Sequence, residues 1–290
     1  MIGSAPTIRV ATWNIRAAIG PGEPFPPAWW RHVSRDRLAR IAGIIVDLDA
    51  DLVALQEVAL LTPNGDVHDQ PADLARLTGM NVRYAAVHAF TLVEPEDGHA
   101  IGAATWGNAI LSRRPLDEGF ALGLPIGADD HLVEPAGSPS RLAGVTFADA
   151  PYGIREPRCA VGGRLADPGA GVAIVGAHLT YAGTDQRRAQ AGALATIAGG
   201  LGTPVVVAGD FNAPIEAPEM RTLASAFDDA FAQMGVPAGD PRRASCGSQR
   251  IDHLLTRGLR ATACTVYREA GDASDHLPVV ATFEITLSGS

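Results

Sequence analysis

Apolar residues recur along this chain in short runs that stop abruptly at polar groups, and their spacing predicts strands separated by helices. The β-rich runs are Ile8–Trp13, Leu52–Leu55, Val82–Val87, Ala109–Leu111, Gly171–Ala177, Val205–Ala208, Ile251–Leu255 and Val279–Ile285. Ser34 stands as an N-cap before a segment that sets Leu38, Ile41, Ala42 and Ile45 on one face at helical spacing. The segments Thr184–Ile197 and Pro218–Met234 predict helices on the same grounds. Strands interleaved with helices predict a single α/β domain over residues 1–290, with sheet buried beneath helices. Two tracts follow neither pattern: 17–33, which carries prolines and the Trp29–Trp30 pair, and 121–151, rich in Gly, Pro and Ala. Irregular stretches of that length in a compact domain are often functional, so substrate-selecting loops are expected there.

Composition narrows the class. With 47% hydrophobic and 19% charged residues the chain can bury a sizeable core. Its longest apolar runs fall far short of the ~20 residues that span a bilayer, so no membrane segment is expected. The N-terminus has neither a basic stretch nor a long apolar one, so no secretory signal is expected. Three widely spaced cysteines without a CxxC motif predict neither a disulfide framework nor a structural zinc site, and a cytoplasmic setting follows as the default. All 23 basic residues are arginine, which rules out lysine chemistry, and a monomer is expected. A net charge of −9 counts against a broad nucleic-acid-binding surface. Nucleic acid stays open as an alternative substrate, since a compact basic patch can coexist with an acidic total.

The groups that end the apolar runs are the informative ones. Asn14, Glu57, His178 and Asp210 each follow a strand-like run, and Asn212 lies two residues beyond Asp210. Asp252 opens one run near the C-terminus, and Ser274-Asp275-His276 precedes another. If those ends converge, the site holds carboxylates, amides and two imidazoles, with no nucleophilic Ser or Cys motif. Such a set suits transfer of a phosphoryl group to water. Carboxylate oxygens favour Mg²⁺ or Mn²⁺, and an Asp–His pair can take a proton from water. Zinc would call for His and Cys at close sequence spacing.

The blocks T-W-N-I (12–15), L-Q-E-V (55–58), G-N-A-I-L-S-R (107–113), G-A-H-L (176–179), G-D-F-N (209–212), R-I-D-H-L (250–254) and S-D-H-L-P (274–278) resemble the endonuclease/exonuclease/phosphatase superfamily. The resemblance implies a four-layer α/β sandwich, two mixed β-sheets face to face with helices outside, and a site at one edge. It implies Glu57 as principal metal ligand with Asn14 and Asp275 in support, and Asp210 and Asn212 positioning water and phosphate. It implies Asp252 holding His276 as general base, His178 on the phosphate or leaving oxygen, and Arg155, with Arg158 as nearby substitute, on the phosphate. His178 and Arg16 stand where abasic-site endonucleases carry Asn and an acidic residue, so the deoxyribonuclease, sphingomyelinase and phosphatase branch is the better match. The expected activity is a Mg²⁺- or Mn²⁺-dependent phosphoesterase acting by in-line attack of water on a small soluble or nucleotide-like ester; a nuclease is the alternative. No acidic residue is placed by the sequence to pair with His178. His253, one residue from Asp252, should face the other side of its strand and pack. His32, His68, His88, His99 and His131 carry no motif, and Trp29 and Trp30 are as well suited to packing as to clamping a substrate.

Overall fold

The computed structural model describes residues 5–24, 28–126, 157–166, 171–181, 183–202 and 204–285. The chain builds its sheets in sequence. It first lays down β1 (Thr7–Asn14), helix α1 (Arg35–Asp47), β2 (Leu52–Leu61), β3 (His68–Asp69), helix α2 (Gln70–Thr78), β4 (Asn81–Val93) and β5 (Ala100–Ser112). It then makes a second sheet from β6 (Leu116–Leu124), β7 (Arg158–Leu165), β8 (Ala173–His178), helix α3 (Thr184–Gly200) and β9 (Val205–Asp210). After helix α4 (Arg221–Ala226) come β10 (Asp228–Asp229), helix α5 (Ala230–Gln233) and β11 (Asp252–Arg257). The chain finally returns to the first sheet with β12 (Leu259–Val266) and β13 (Val279–Ile285).

The strand orders are β12-β13-β1-β2-β5-β4, with β3 on β2, and β10-β11-β9-β8-β7-β6. Each sheet has one parallel pair at its middle, β1/β2 and β8/β9, flanked by antiparallel neighbours. A parallel pair needs a crossover, and α1 and α3 supply the two. Both sheets are therefore mixed, and they pack face to face. Ile8, Val10, Leu52 and Ile110 of one sheet share a core with Val161, Ile174, Val206 and Leu254 of the other. On the outer faces Leu38, Ile41 and Ile45 of α1 pack on Val53 and Leu55, while Leu194 and Ala198 of α3 pack on Val175 and Val207. Helix, sheet, sheet, helix is the expected four-layer sandwich. Gly176 lets the sheets close beside the strand end: a Cβ there would meet Ile110 Cδ1 at 2.7 Å and Ala54 Cβ at 3.3 Å.

Ser34 caps α1 as expected, its side chain accepting from the Arg37 N–H at 3.2 Å. The expected helix over Pro218–Met234 is corrected. Phe227 turns extended (φ −137°, ψ 146°), Asp228 and Asp229 pair with β11, and Asp229 caps a fresh turn through the Ala232 N–H. Pairing with a buried strand here outweighs helical spacing. Helix α2 and strands β6, β7 and β12 have no counterpart in the expected elements, and β4 and β5 run far beyond theirs. The described residues of the tract 17–33 form a packing unit. Trp29 meets Trp106 edge-on at 4.9 Å, and both are buried with Trp30, Leu92 and Ile101. Of the tract 121–151, residues 121–124 belong to β6 and residues 127–151 lie outside the described set.

Three consecutive residues after β1 are left-handed: Arg16 (φ 47°), Ala17 (φ 48°) and Ala18 (φ 58°). Each costs an L-residue roughly 1–2 kcal/mol, so something must hold the turn. Gln70 does. Its amide donates to the Ala17 carbonyl at 2.6 Å, and its carbonyl accepts from the Ala59 N–H of β2 at 2.9 Å. Gln70→Leu keeps the volume but orphans both backbone groups, at on the order of 1–3 kcal/mol for each. Denaturant unfolding is expected to show a loss of that size; unchanged stability would mean that the turn is held elsewhere.

Candidate active site

The two parallel pairs run in the same sense toward one edge of the sandwich, which gathers their C-terminal ends. Asn14 ends β1, His178 ends β8 and Asp210 ends β9, with His178 and Asp210 facing each other in register. Strand β11 runs antiparallel to β9 and begins opposite Asp210 with Asp252. Strand β13 runs antiparallel to β1, so the Asp275-His276 segment before it reaches the same edge. Topology alone thus explains the convergence.

Glu57 arrives differently from expectation. β2 does not end there but continues to Leu61, and the register slips between Leu55 and Val58. Gln56 and Glu57 together stand opposite Asn108, and Glu57 takes a left-handed conformation (φ 56°). A bulge of this kind re-aims a side chain. Asn212 is left-handed too (φ 51°), just past the end of β9. Strain at two site residues, held by well-packed strands, marks a backbone shaped for the side chains it presents.

Asn14 joins the two sheets at the site. Its amide nitrogen donates to Glu57 Oε1 at 3.0 Å and to Asp210 Oδ2 at 3.1 Å, while its oxygen accepts from the Arg16 N–H at 3.0 Å. Asp210 also accepts the Asn212 N–H on Oδ1 at 3.0 Å. His276 Nδ1 lies 2.8 Å from Asp252 Oδ2, and its Nε2 faces Asp210 Oδ2 at 3.8 Å. Trp13 donates its indole N–H to the His276 carbonyl at 2.9 Å, fixing the backbone under the ring. His178 has the acidic neighbour that the sequence did not place: its Nε2 is 3.4 Å from Asp210 Oδ2, and its Nδ1 is 3.9 Å from Glu57 Oε1. Asn212 donates to that same Nε2 at 2.9 Å, which leaves the ring proton on Nδ1, toward Glu57.

Burial divides these groups electrostatically. It pushes Glu57 up to about 7, with Asp275 adding to the rise against the Asn14 hydrogen bond. It pushes Asp210 up to about 6, with Asp252 adding and His276 opposing. It carries His178 well below the usual imidazole value, helped by the Arg158 and His276 charges, so His178 is neutral. Burial also pulls on His276, but Asp252 and Asp210 outweigh it and carry that imidazole well above its usual value. Arg158, buried at the start of β7, acts on both Glu57 and His178, which places its charge at the site. Arg155 lies outside the described residues.

His253 belongs to the other face. It stacks on Phe211 (5.4 Å between rings), with its Nε2 2.9 Å from the Ala213 carbonyl. His253→Ala is expected to cost roughly 2–5 kcal/mol of stability, as for other large-to-small core changes, while kcat at a temperature where the variant is folded changes little. A loss of kcat equal to that of His276→Ala would place the wrong histidine in the site. His88 is the residue that sequence reasoning missed. The register slips between Ala86 and His88 in β4, and His88 adds to the lowering of the His178 pKa. Nothing in the local sequence signals this, because the register slip beside His88, whose ring stacks on Phe90 at 5.7 Å, is set by pairing with β5.

The residues present suit a hard divalent cation. Four carboxylates crowd one edge, one of them pushed by burial to about 7, and Asp252 Oδ1 is buried without a hydrogen-bond partner. Asp210, Asp252 and His276 place ligand-type atoms within 4.8 Å of one another. His276 Nδ1 is already committed to Asp252, however, and both carboxylates are buried, so this trio is better fitted to moving protons. Glu57 (21% exposed) and Asp275 (39%) are the carboxylates open to an entering ion.

Residues 11–276 match the model of the Endonuclease/Exonuclease/phosphatase family. The chain belongs to that family. Members of the endonuclease/exonuclease/phosphatase family are hydrolases of phosphate esters and generally depend on divalent metal. Among solved structures, a family protein from Beutenbergia cavernae is 24% identical, with a TM-score of 0.68 over 96% of this chain and 72% of that one. The human Nocturnin catalytic domain with bound sulfate is 20% identical (TM-score 0.62; 97% and 94% covered). The mannosyl-6-phosphatase of Bacteroides thetaiotaomicron is 18% identical (TM-score 0.61; 95% and 99%). These likenesses establish the shared fold. No curated protein matches in sequence. Among the described residues no helix is long and apolar enough to cross a membrane.

Proposed function

We propose that this protein is a Mg²⁺- or Mn²⁺-dependent phosphoesterase that hydrolyses a small soluble or nucleotide-like phosphate ester by in-line attack of water. The observation that carries the reading is the Asn14 bridge. One amide holds a cation-seeking carboxylate, Glu57, and a proton-accepting one, Asp210, at the meeting edge of two sheets, beside the Asp252–His276 pair.

Glu57, with Asp275 behind it, would hold the ion, which when bound supplies charge to the phosphate and its leaving oxygen. Arg158 would steady phosphate oxygens, while the Asn212 amide, its two N–H bonds given to His178 Nε2 and the Leu179 carbonyl, would hold the imidazole in place. In the free protein the proton rests on His276, so Asp210 is the vacant acceptor for the proton of water. His276, aligned through Nδ1 by Asp252, presents Nε2–H toward the same space and balances the charge that develops. The base role that the resemblance implies for His276 would on this reading be divided between His276 and Asp210, 3.8 Å apart. Neutral His178, its Nδ1–H toward Glu57, orients the ligand set.

A small substrate is supported by the charge of the chain. Each phosphate of a polymer asks for a cation along a groove, and this chain has 32 acidic residues against 23 basic ones. A phosphatase acting on a sugar phosphate shares the fold. The test is a metal-supplemented panel of sugar phosphates, nucleotides, bis-p-nitrophenyl phosphate, oligonucleotides and phospholipid. We expect a small ester to give higher kcat/KM than an oligonucleotide at both low and physiological salt. Preference for the oligonucleotide at both salts replaces this reading with a nuclease.

A further inference from the structure

We propose that His88 and Phe90 form a stacking wall for a nucleobase, so that the ester taken by this site is a nucleotide. This deepens the phosphoesterase reading above, on which it rests, by naming a substrate class. His88 has no part in the chemistry described so far, although its ring stands close enough for its charge to bear on His178.

Register places His88 on the flank of the site. β2 and β4 both pair antiparallel with β5, so they run in the same sense toward the site edge. Each of them slips at the same stretch of β5. Gln56 and Glu57 stand together opposite Asn108, and Val87 is the extra residue between the pairs Ala86–Gly107 and His88–Trp106. Two strand spacings, roughly 10 Å, separate β2 from β4. His88 therefore lies across β5 from Glu57 and a little further along, where the sheet carries on past the site to Leu61 and Val93. A group held there is the part of the substrate next to the phosphate, not the phosphate itself.

The rings on this flank form an ordered row. His88 stacks on Phe90 with centroids 5.7 Å apart and planes at 18°. Phe90 meets Trp29 edge-on at 6.3 Å, and Trp29 meets Trp106 edge-on at 4.9 Å. Both tryptophans are buried, while His88 and Phe90 are half-buried. The row is thus braced from the core and surfaces at its histidine and phenylalanine. A single exposed ring needs no explanation, but a braced row that surfaces beside the reacting groups is a preformed aromatic wall. A ligand that lies on it orders little that is not already ordered. The base is the flat part of a nucleotide, so the base is what such a wall selects. Loss of one base–aromatic stack weakens binding about 5- to 150-fold.

The experiment compares AMP with ribose 5-phosphate, which lacks only the base, by calorimetric titration of the full chain in Mg²⁺. Where an ester is turned over, kcat/KM is read instead. Wild type is expected to prefer AMP by about 5- to 150-fold. His88→Ala should bring that preference close to one, by weakening AMP far more than ribose 5-phosphate. His88→Phe should keep it, because a phenyl ring stacks without the nitrogens of imidazole. Should His88→Ala fail to fold, His88→Gln is read in its place, with the same loss expected. Equal affinity of wild type for the two esters overturns the inference and leaves the phosphoesterase reading standing. A preference that survives in the folded Ala or Gln variant overturns it, as does its loss in His88→Phe. Parallel losses on both esters would give His88 to the phosphate and overturn it too. Wild type that binds neither ester also removes the inference, and the ester panel above then decides separately on the phosphoesterase reading.

Discussion

Asp210→Asn and His276→Ala are each expected to lower kcat by roughly 10²–10⁴-fold, the range for losing a positioned proton-transfer group. The two should be distinguishable by pH. Asp210 must be ionised to accept a proton, and burial sets it at about 6, so kcat/KM should rise with pH through that region. His276 must stay protonated to present Nε2–H, and its value lies well above the usual one, so activity should fall on the alkaline side. Asp210→Asn is expected to erase the acid limb and His276→Ala the alkaline one. Asp252→Asn releases Nδ1 of the ring and should lower kcat in the same direction. Its effect should be strongly non-additive with His276→Ala, since both act through one imidazole. Additive losses, or a pH profile that neither substitution alters, would separate these residues from the proton transfer. Retained unfolding midpoints would show that the losses are chemical, because Asp210 and Asp252 are buried and their replacement also touches the core.

Much of this architecture was legible because strand ends carry the chemistry. Strands β2, β8 and β9 have near-continuous apolar runs buried on both faces, and β1 is apolar but for Arg9 and its threonines, so the polar terminators Asn14, His178 and Asp210 stand out. Asp252 and His276 were readable as openers of the antiparallel strands. The parts that stayed hidden depend on pairing between distant segments. Whether Glu57 ends a strand or rides a bulge is decided by β5, which the local sequence of β2 cannot report. The same holds for His88, beside a register slip against β5, and for Phe227, drawn out of a helix by the pairing of Asp228 and Asp229 with β11. The acidic neighbour of His178 was hidden for a related reason. Asp210 lies 32 residues along the chain, and only the register of β8 with β9 brings it to 3.4 Å. Arg16 was visible as a departure from a motif, while its contact with Asp275 spans nearly the whole chain.

Glu57→Gln is expected to abolish turnover at ordinary ion concentrations and to weaken Mn²⁺ binding by more than the roughly 10–100-fold that loss of an outer-shell partner costs. Chelation of the wild type should abolish turnover equally, with Mg²⁺ or Mn²⁺ restoring it. The pH dependence of binding follows from the same residue. Without an ion, burial holds the Glu57 carboxyl at about 7, above its ordinary 4.5, so below neutrality the folded site is mostly protonated. A cation needs the carboxylate, so binding must displace that proton. Affinity should therefore fall about tenfold for each pH unit below 7 and level off above it. Calorimetry in buffers of different ionisation enthalpy should count close to one proton released at pH 6 and few at pH 8. The effect on stability has a definite sign. A carboxyl raised in the folded state favours folding only while it is protonated, so its cost to the metal-free protein grows as pH rises from 4.5 to 7. The rise in unfolding temperature on adding Mn²⁺ should accordingly be larger at pH 8 than at pH 5.5. Affinity that does not change between pH 5 and 7, or equal Mn²⁺ binding by Glu57→Gln, would move the ion away from Glu57.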